Sequence, residues 1–227
     1  FDGYRLEPGE LVLGPQQIAA GAVLADLDDA ALRSAAERVR RYHALHVPAS
    51  WTHSDDGEVL GQIVRPLASV GLYVPAGVAP LASTVLMLGM PASVAGVRQL
   101  AMARPGERPH PAVLRAAQLA GVARLYRIGG AQAIAALAYG TESVARVDKI
   151  VGPGNAYVQE AKRQVFGAVA IDAEAGPSEV FIVADSGAPA DLVAADLLAQ
   201  AEHDAMASVV LATPAPELAR AVSACLV

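Results

Sequence analysis

The residues of this chain best placed to do chemistry are Gln200 and His203, three apart near the end of the apolar run PADLVAADLLAQAEHD, residues 189–204. On a helix, positions i and i+3 share a face, so an amide oxygen and an imidazole nitrogen would stand side by side. Two such donors can hold a divalent metal when two further ligands arrive from elsewhere. The same pair also reads as solvated polar residues at a helix end, where a histidine suits the macrodipole, and spacing alone leaves both readings open. Glu202 lies between them in sequence but is turned away by about 100° per residue on a helix, and is left out of the pair.

A second group of candidates sits in glycine-rich loops. Tyr73 precedes Pro75-Ala76-Gly77, Gln132 follows Gly129-Gly130 at a helix start, and Asn155 closes GPGN. Glycine lets the backbone approach a ligand closely, and N–H groups at a helix start favour phosphate. None of these loops is a GxGxxG or a Walker A sequence, so a nucleotide-sized cleft and ordinary turn glycines are both compatible with them. Ser178, after Gly176-Pro177, reads as a turn residue bonding backbone. Glu174 and Glu179 read as structural or surface acids. His43 and His46 imitate a metal pair by spacing, but with no acidic or cysteine partner nearby in sequence they read as surface or packing histidines.

Elements must hold these residues in place. DLDDAALRSAAERVRRYHALHV has apolar Leu32, Ala36 and Val39 at helical intervals, with acids at its start and arginines toward its end, and predicts an amphipathic helix. HVPASWTHSDDGEVLG, with Trp51 and His53, reads as a polar, turn-rich connection. From SVGLYV onward, short apolar runs alternate with helical patterns through RQLAMARPG, HPAVLRAAQLAG, ARLYRIGG, AQAIAALAYG, VDKIVGPGN and NAYVQEAKRQVFG. That recurrence predicts an α/β fold with a Rossmann-like parallel sheet preceded by a helical segment. A ligand crevice belongs at the carboxyl ends of such strands. Further on, Val180 to Ala184 predicts a short buried strand and Pro189 to His203 a helix whose Leu192, Ala195, Leu198 and Ala199 can face a core.

Composition sets the bounds. With 54% hydrophobic but only 4% aromatic residues in 227, the interior must be built from Ala, Val, Leu and Ile. A net charge of −6 with no basic patch or stripe argues against nucleic acid as a partner. The single cysteine, Cys225, excludes a disulfide framework and a multi-cysteine zinc site, and reads as a buried spectator. Proline, glycine and serine interrupt every apolar stretch before the roughly 18–20 residues of a membrane span. The chain opens at Phe1 without an initiator Met or a signal pattern and stops in the helical run PELARAVSACLV, and is expected to be an interior piece of a longer chain.

Long blocks of this sequence resemble histidinol dehydrogenase, the zinc enzyme family that ends histidine biosynthesis. They are RPLASVGLYVPAGVAPLASTVLMLGMPASVAG, RIGGAQAIAALAYGTESVARVDKIVGPGNAYVQEAKRQV, AIDAEAGPSEVFIVADSG and AQAEH, nearly colinear from Arg65 to Thr213. The stretch before Val64 fits more loosely. The resemblance implies that Tyr73, Gln132 and Asn155 contact NAD, that Ser178, Gln200 and His203 meet the substrate, and that Gln200 and His203 ligate Zn2+. It implies oxidation of L-histidinol through histidinaldehyde to L-histidine, by a cytoplasmic homodimer with a small-molecule substrate and neither nucleic acid nor membrane as partner. It also implies that residues 1–66 are a helical segment of a first domain, that residues 67–178 are a Rossmann-like NAD-contacting domain, and that residues 179–227 return into the first domain with an incomplete zinc site. The family's catalytic Glu-His pair and its remaining ligands, an Asp and a His, belong beyond Val227, so this chain alone is expected to be inactive. Two alternatives stay open: a catalytically dead nucleotide-binding relative, and a dehydrogenase of the same superfamily acting on another small polar alcohol such as a sulfonated diol.

Overall fold

Strand and helix alternate along the chain at the period read from the sequence. The computed structural model describes residues 6–76, 80–173, 179–202 and 207–226. A short strand, β1 (Val12–Leu13), leads into helices α1 (Pro15–Gly21) and α2 (Asp26–Ala44), then into a hairpin of β2 (Trp51–Asp55) and β3 (Glu58–Gln62). The regular alternation follows: β4 (Ser69–Tyr73), α3 (Ala82–Val94), β5 (Gln99–Ala103), α4 (Pro111–Ala120), β6 (Arg124–Tyr126), α5 (Gly130–Tyr139), β7 (Lys149–Val151), α6 (Ala156–Val165) and β8 (Ala170–Ile171). Last come β9 (Glu179–Val183), α7 (Ala190–Ala201), β10 (Ser208–Ala212) and α8 (Pro216–Cys225). The chain divides into two units, Phe1–Glu174 and Ala175–Val227, and the helices before residue 66 pack on α3 and α4 inside the first.

The first unit is a sheet buried on both faces, in the order β1-β6-β5-β4-β7-β8. β4 to β8 pair in parallel, and only the edge strand β1 runs antiparallel, against β6. Side chains alternate across a strand, and here the alternation sorts them into two cores. Val70 and Leu72 of β4, Leu100 and Met102 of β5 and Leu125 of β6 join one core with α3 and α4. Tyr73, Ala103, Tyr126 and Ile150 join the other with α5 and α6. Leu72, Leu125, Ile134, Leu137 and Ile150 are each 0% exposed, and full burial of such a side chain stabilises by about 1.5–3 kcal/mol. Helix α5 sits so close to the sheet that a Cβ on Gly71 would come within 3.1 Å of Leu137 and Val147.

The amphipathic helix predicted from DLDDAALRSAAERV is α2, with Ala36 buried and Leu32 and Val39 packed on the α3 and α4 core. Its Asp29 accepts hydrogen bonds from Arg33 at 2.7 Å and from Arg115 of α4, which pins the N-terminal helices to the sheet layer. Hydrogen bonds from Arg115 and then Arg33 hold the Asp29 carboxyl below its usual range.

Four readings of the sequence need correction. The connection expected around Trp51 and His53 is a regular hairpin, turned by Asp56 and Gly57 at φ 44° and 85°. Asp-Gly with two positive φ values is the signature of a tight two-residue hairpin turn. The strands escaped notice because all ten of their residues are exposed, so no face had to be apolar. On α7 the buried stripe is Val193, Ala194 and Leu197, not Leu192 and Leu198, which are 62% and 46% exposed. Both stripes are apolar at helical spacing, so periodicity could not choose between them. Cys225 is exposed at the last turn of α8. The strand expected to be buried at Val180 to Ala184 is β9, and it buries no residue fully, because only its Ile182 side packs on α7 and α8. Among the described residues no helix is long and apolar enough to cross a membrane.

Candidate functional site

β4 and β7 lie side by side, yet the chain leaves β4 toward β5 and β6 and leaves β7 toward β8. Between two such strands the connecting loops part, and this topological switch point is where doubly wound sheets open a crevice for ligands. The end of β4 is Tyr73, and the residue after β7 is Gly152.

Tyr73 is only 3% exposed, and its hydroxyl accepts a hydrogen bond from the Gly130 N–H at 3.0 Å. Gly130 has φ +67°, and a Cβ there would come 2.8 Å from Oε1 of Gln132, whose side chain folds back over the turn. Gly152, at φ +129°, lies so near β4 that a Cβ would stand 2.1 Å from the Tyr73 carbonyl oxygen. Any other residue here would have to displace backbone, which accounts for the glycine. Tyr73 thus touches both the loop that carries Gln132 and the loop that leads to Asn155. Asn155 is exposed and N-caps α6, its Oδ1 accepting from the Val158 N–H at 3.1 Å. Two of the helix-start donors that the sequence offered to phosphate, on Gly130 and Val158, are therefore satisfied within the chain. The third loop enters α3 through Leu81 at φ 49° and ψ 37°, a left-handed conformation rare for leucine and of a kind that clusters at ligand sites.

Sequence reasoning missed two residues that hold Gly152. Lys162 of α6 is 0% exposed, and its Nζ donates to the Gly152 carbonyl at 3.0 Å and to Oδ1 of Asp172. Oδ2 of Asp172 accepts from the Gly152 N–H at 2.8 Å. Burial pushes the Asp172 carboxyl up, but hydrogen bonds from Lys162 and from the N–H groups of Gly152 and Ala173 outweigh it and hold the group below the usual carboxylate range. The lysine falls in a helix and the aspartate after a strand, at no spacing that a motif would reveal.

Gln200 is half-buried near the end of α7, and Ser178 and His203 lie outside the described residues. His43 and His46 stack around Tyr42 with ring centroids 5.2 and 4.8 Å from it. Among the described residues no three His, Cys, Asp or Glu side chains come together as a metal site. A groove of ≈ 650 Å³ opens elsewhere, between the end of α2, α3 and β7, walled by Leu67, Met87, Pro91, Val97 and Val151. Its walls are mainly apolar but also carry His43, His46, Arg65, Lys149 and Asp172, and it excludes Tyr73, Gln132 and Asn155.

The family model for histidinol dehydrogenase matches residues 1–227. The chain belongs to the histidinol dehydrogenase family. Relatives named histidinol dehydrogenase include those of Cereibacter sphaeroides, 52% identical over 98% of this chain and 52% of the relative, and Moorella thermoacetica, 53% identical over 98% and 54%. The crystal structure of histidinol dehydrogenase from Elizabethkingia anophelis superposes with a TM-score of 0.91 at 38% identity, covering 100% of this chain and 53% of that one. The chain spans about half the length of the curated relatives it matches. Membership of this family agrees with the α/β fold and with the resemblance carried by the GPGN, GPSE and AQAEH blocks.

Proposed function

We propose that this chain forms the NAD-holding part, and a share of the zinc and substrate site, of an enzyme that oxidises L-histidinol through histidinaldehyde to L-histidine. The observation that carries the reading is the meeting of the Gln132 and Asn155 loops on Tyr73 at the switch point of a family member's sheet. Tyr73, Gln132 and Asn155 are the proposed NAD contacts, Gln132 and Asn155 being exposed where a cofactor can reach them. NAD, when bound, would accept a hydride from the substrate carbon in each oxidation. The alcohol also gives its hydroxyl proton to a base, and the aldehyde must first add a water, whose oxygen becomes the second carboxylate oxygen and whose protons are lost to base and solvent.

Ser178, Gln200 and His203 are proposed to meet the substrate, and Gln200 and His203 to supply two ligands to Zn2+. An amide oxygen and an imidazole nitrogen are fit zinc donors but fill only part of a tetrahedral set. The other two ligands and the Glu-His pair for proton transfer are proposed to come from residues this chain does not contain, so the chain alone should neither turn over nor retain zinc well. A homodimer in the cytoplasm, acting on a small molecule and not on nucleic acid or membrane, belongs to the same reading.

Calorimetric titration with NAD tests the cofactor assignment. Gln132→Ala should weaken binding in a folded protein. Asn155→Ser should do the same while keeping an acceptor at the cap of α6, and unchanged affinity in both variants refutes the contacts. Metal analysis after dialysis tests the ligands: stoichiometric zinc in this chain, lost in His203→Ala, would mean that it completes its own site. A full-length product that reduces NAD with a sulfonated diol but not with L-histidinol would refute the substrate.

A further inference from the structure

Gly152 stands at a point where the sheet can no longer satisfy its backbone. β7 pairs with β4 only as far as Val151 and with β8 only as far as Ile150 and Ile171. The residue after Ile171 is Asp172, and its carboxylate takes the Gly152 N–H that no strand reaches. The Gly152 carbonyl is taken in turn by Lys162, whose ammonium is fully buried and also bonds Asp172. Both polar groups of one glycine are thus held by the two members of one ion pair. Desolvating the buried Lys162 ammonium offsets much of its attraction to Asp172, whose side chain is 33% exposed, so the pair by itself adds little stability. Here the pair has a geometric consequence that apolar residues could not reproduce. It holds the first residue of the Gly152–Asn155 loop against Tyr73, while the Asn155 cap holds the last.

We propose, on the NAD reading above, that Lys162 and Asp172 are positioning residues that clamp the Gly152–Asn155 loop in its ligand-competent course and so set the affinity for NAD. Neither touches the cofactor; they act through the Gly152 peptide groups. The clamp joins α6 to the sheet edge, so that the loop enters and leaves from fixed points and its ordering is done before the cofactor arrives.

The test separates positioning from stability. The double variant Lys162→Met, Asp172→Leu removes the pair; leaving the Gly152 N–H and carbonyl without those partners should lower its urea midpoint, so binding and exchange are measured well below the onset of unfolding. Its NAD dissociation constant should rise at least tenfold, and amides of residues 152–155 should exchange at least tenfold faster without NAD. Asp172→Asn keeps an acceptor for the Gly152 N–H and frees only Lys162; it serves if the double variant fails to fold, and its dissociation constant should rise about threefold. Unchanged affinity and exchange in a folded variant would make the pair mere packing and overturn the proposal. Faster loop exchange with unchanged affinity would overturn it too, leaving the NAD reading intact. No NAD binding by the unmodified chain would overturn that reading first and this one with it.

Discussion

The two units of this chain solve the burial of a parallel sheet to different extents. In Phe1–Glu174 the strands have α3 and α4 on one face and α5 and α6 on the other, and each face has its own core. In Ala175–Val227 the parallel pair β9 and β10 packs one face, Ile182, Val209 and Leu211, on α7 and α8. Its other face leaves Phe181 and Val183 66% and 78% exposed. Parallel sheets are ordinarily buried on both faces. The first unit should therefore carry most of the chain's stability, and the second should open on its own.

Paired core truncations are the strongest test of that difference. Leu137→Ala should lower the unfolding free energy of the first unit by about 2–5 kcal/mol. Leu197→Ala, at a site 4% exposed, should melt the second unit while the main transition stays in place. Hydrogen exchange under native conditions reads both, and one transition shifting equally in both variants would break the comparison.

Acid should act on the first unit through Asp172, whose folded carboxyl lies below its ordinary range. A depressed carboxylate contributes stability above its unfolded pKa, about 3.9, and loses it as pH falls toward the folded value. Urea midpoints at about pH 5 and pH 3 should therefore fall more for the unmodified chain than for Asp172→Asn. Equal falls would remove Asp172 from the account.

Smaller effects sharpen the picture. Asn155→Ala removes a cap from α6 and should cost the first unit about 1 kcal/mol in chemical denaturation. An unchanged midpoint would mean that the Val158 bond is not stabilising. Phe181→Ser, on the uncovered face of β9, should alter stability by less than about 0.5 kcal/mol. A loss of several kcal/mol there would show that the face is covered in solution.

What the sequence determined by itself was local or carried by long blocks. SVGLYV, RQLAMA and the helical runs between them have a period that only strands and helices satisfy, so β4 to β7 and α3 to α6 were legible, as was the family. The glycine loops before Gln132 and Asn155 were legible as places for a ligand. Their meeting on Tyr73 was not, because it depends on β4 and β7 becoming neighbours across 79 residues of chain. Tertiary structure alone chose the buried stripe of α7, since two stripes were equally apolar, and revealed a hairpin with no apolar face to betray it. It alone brought Lys162 and Asp172 to one glycine. Periodicity records what a residue needs from its own helix or strand; which distant partner answers a buried charge is decided only when the strands align.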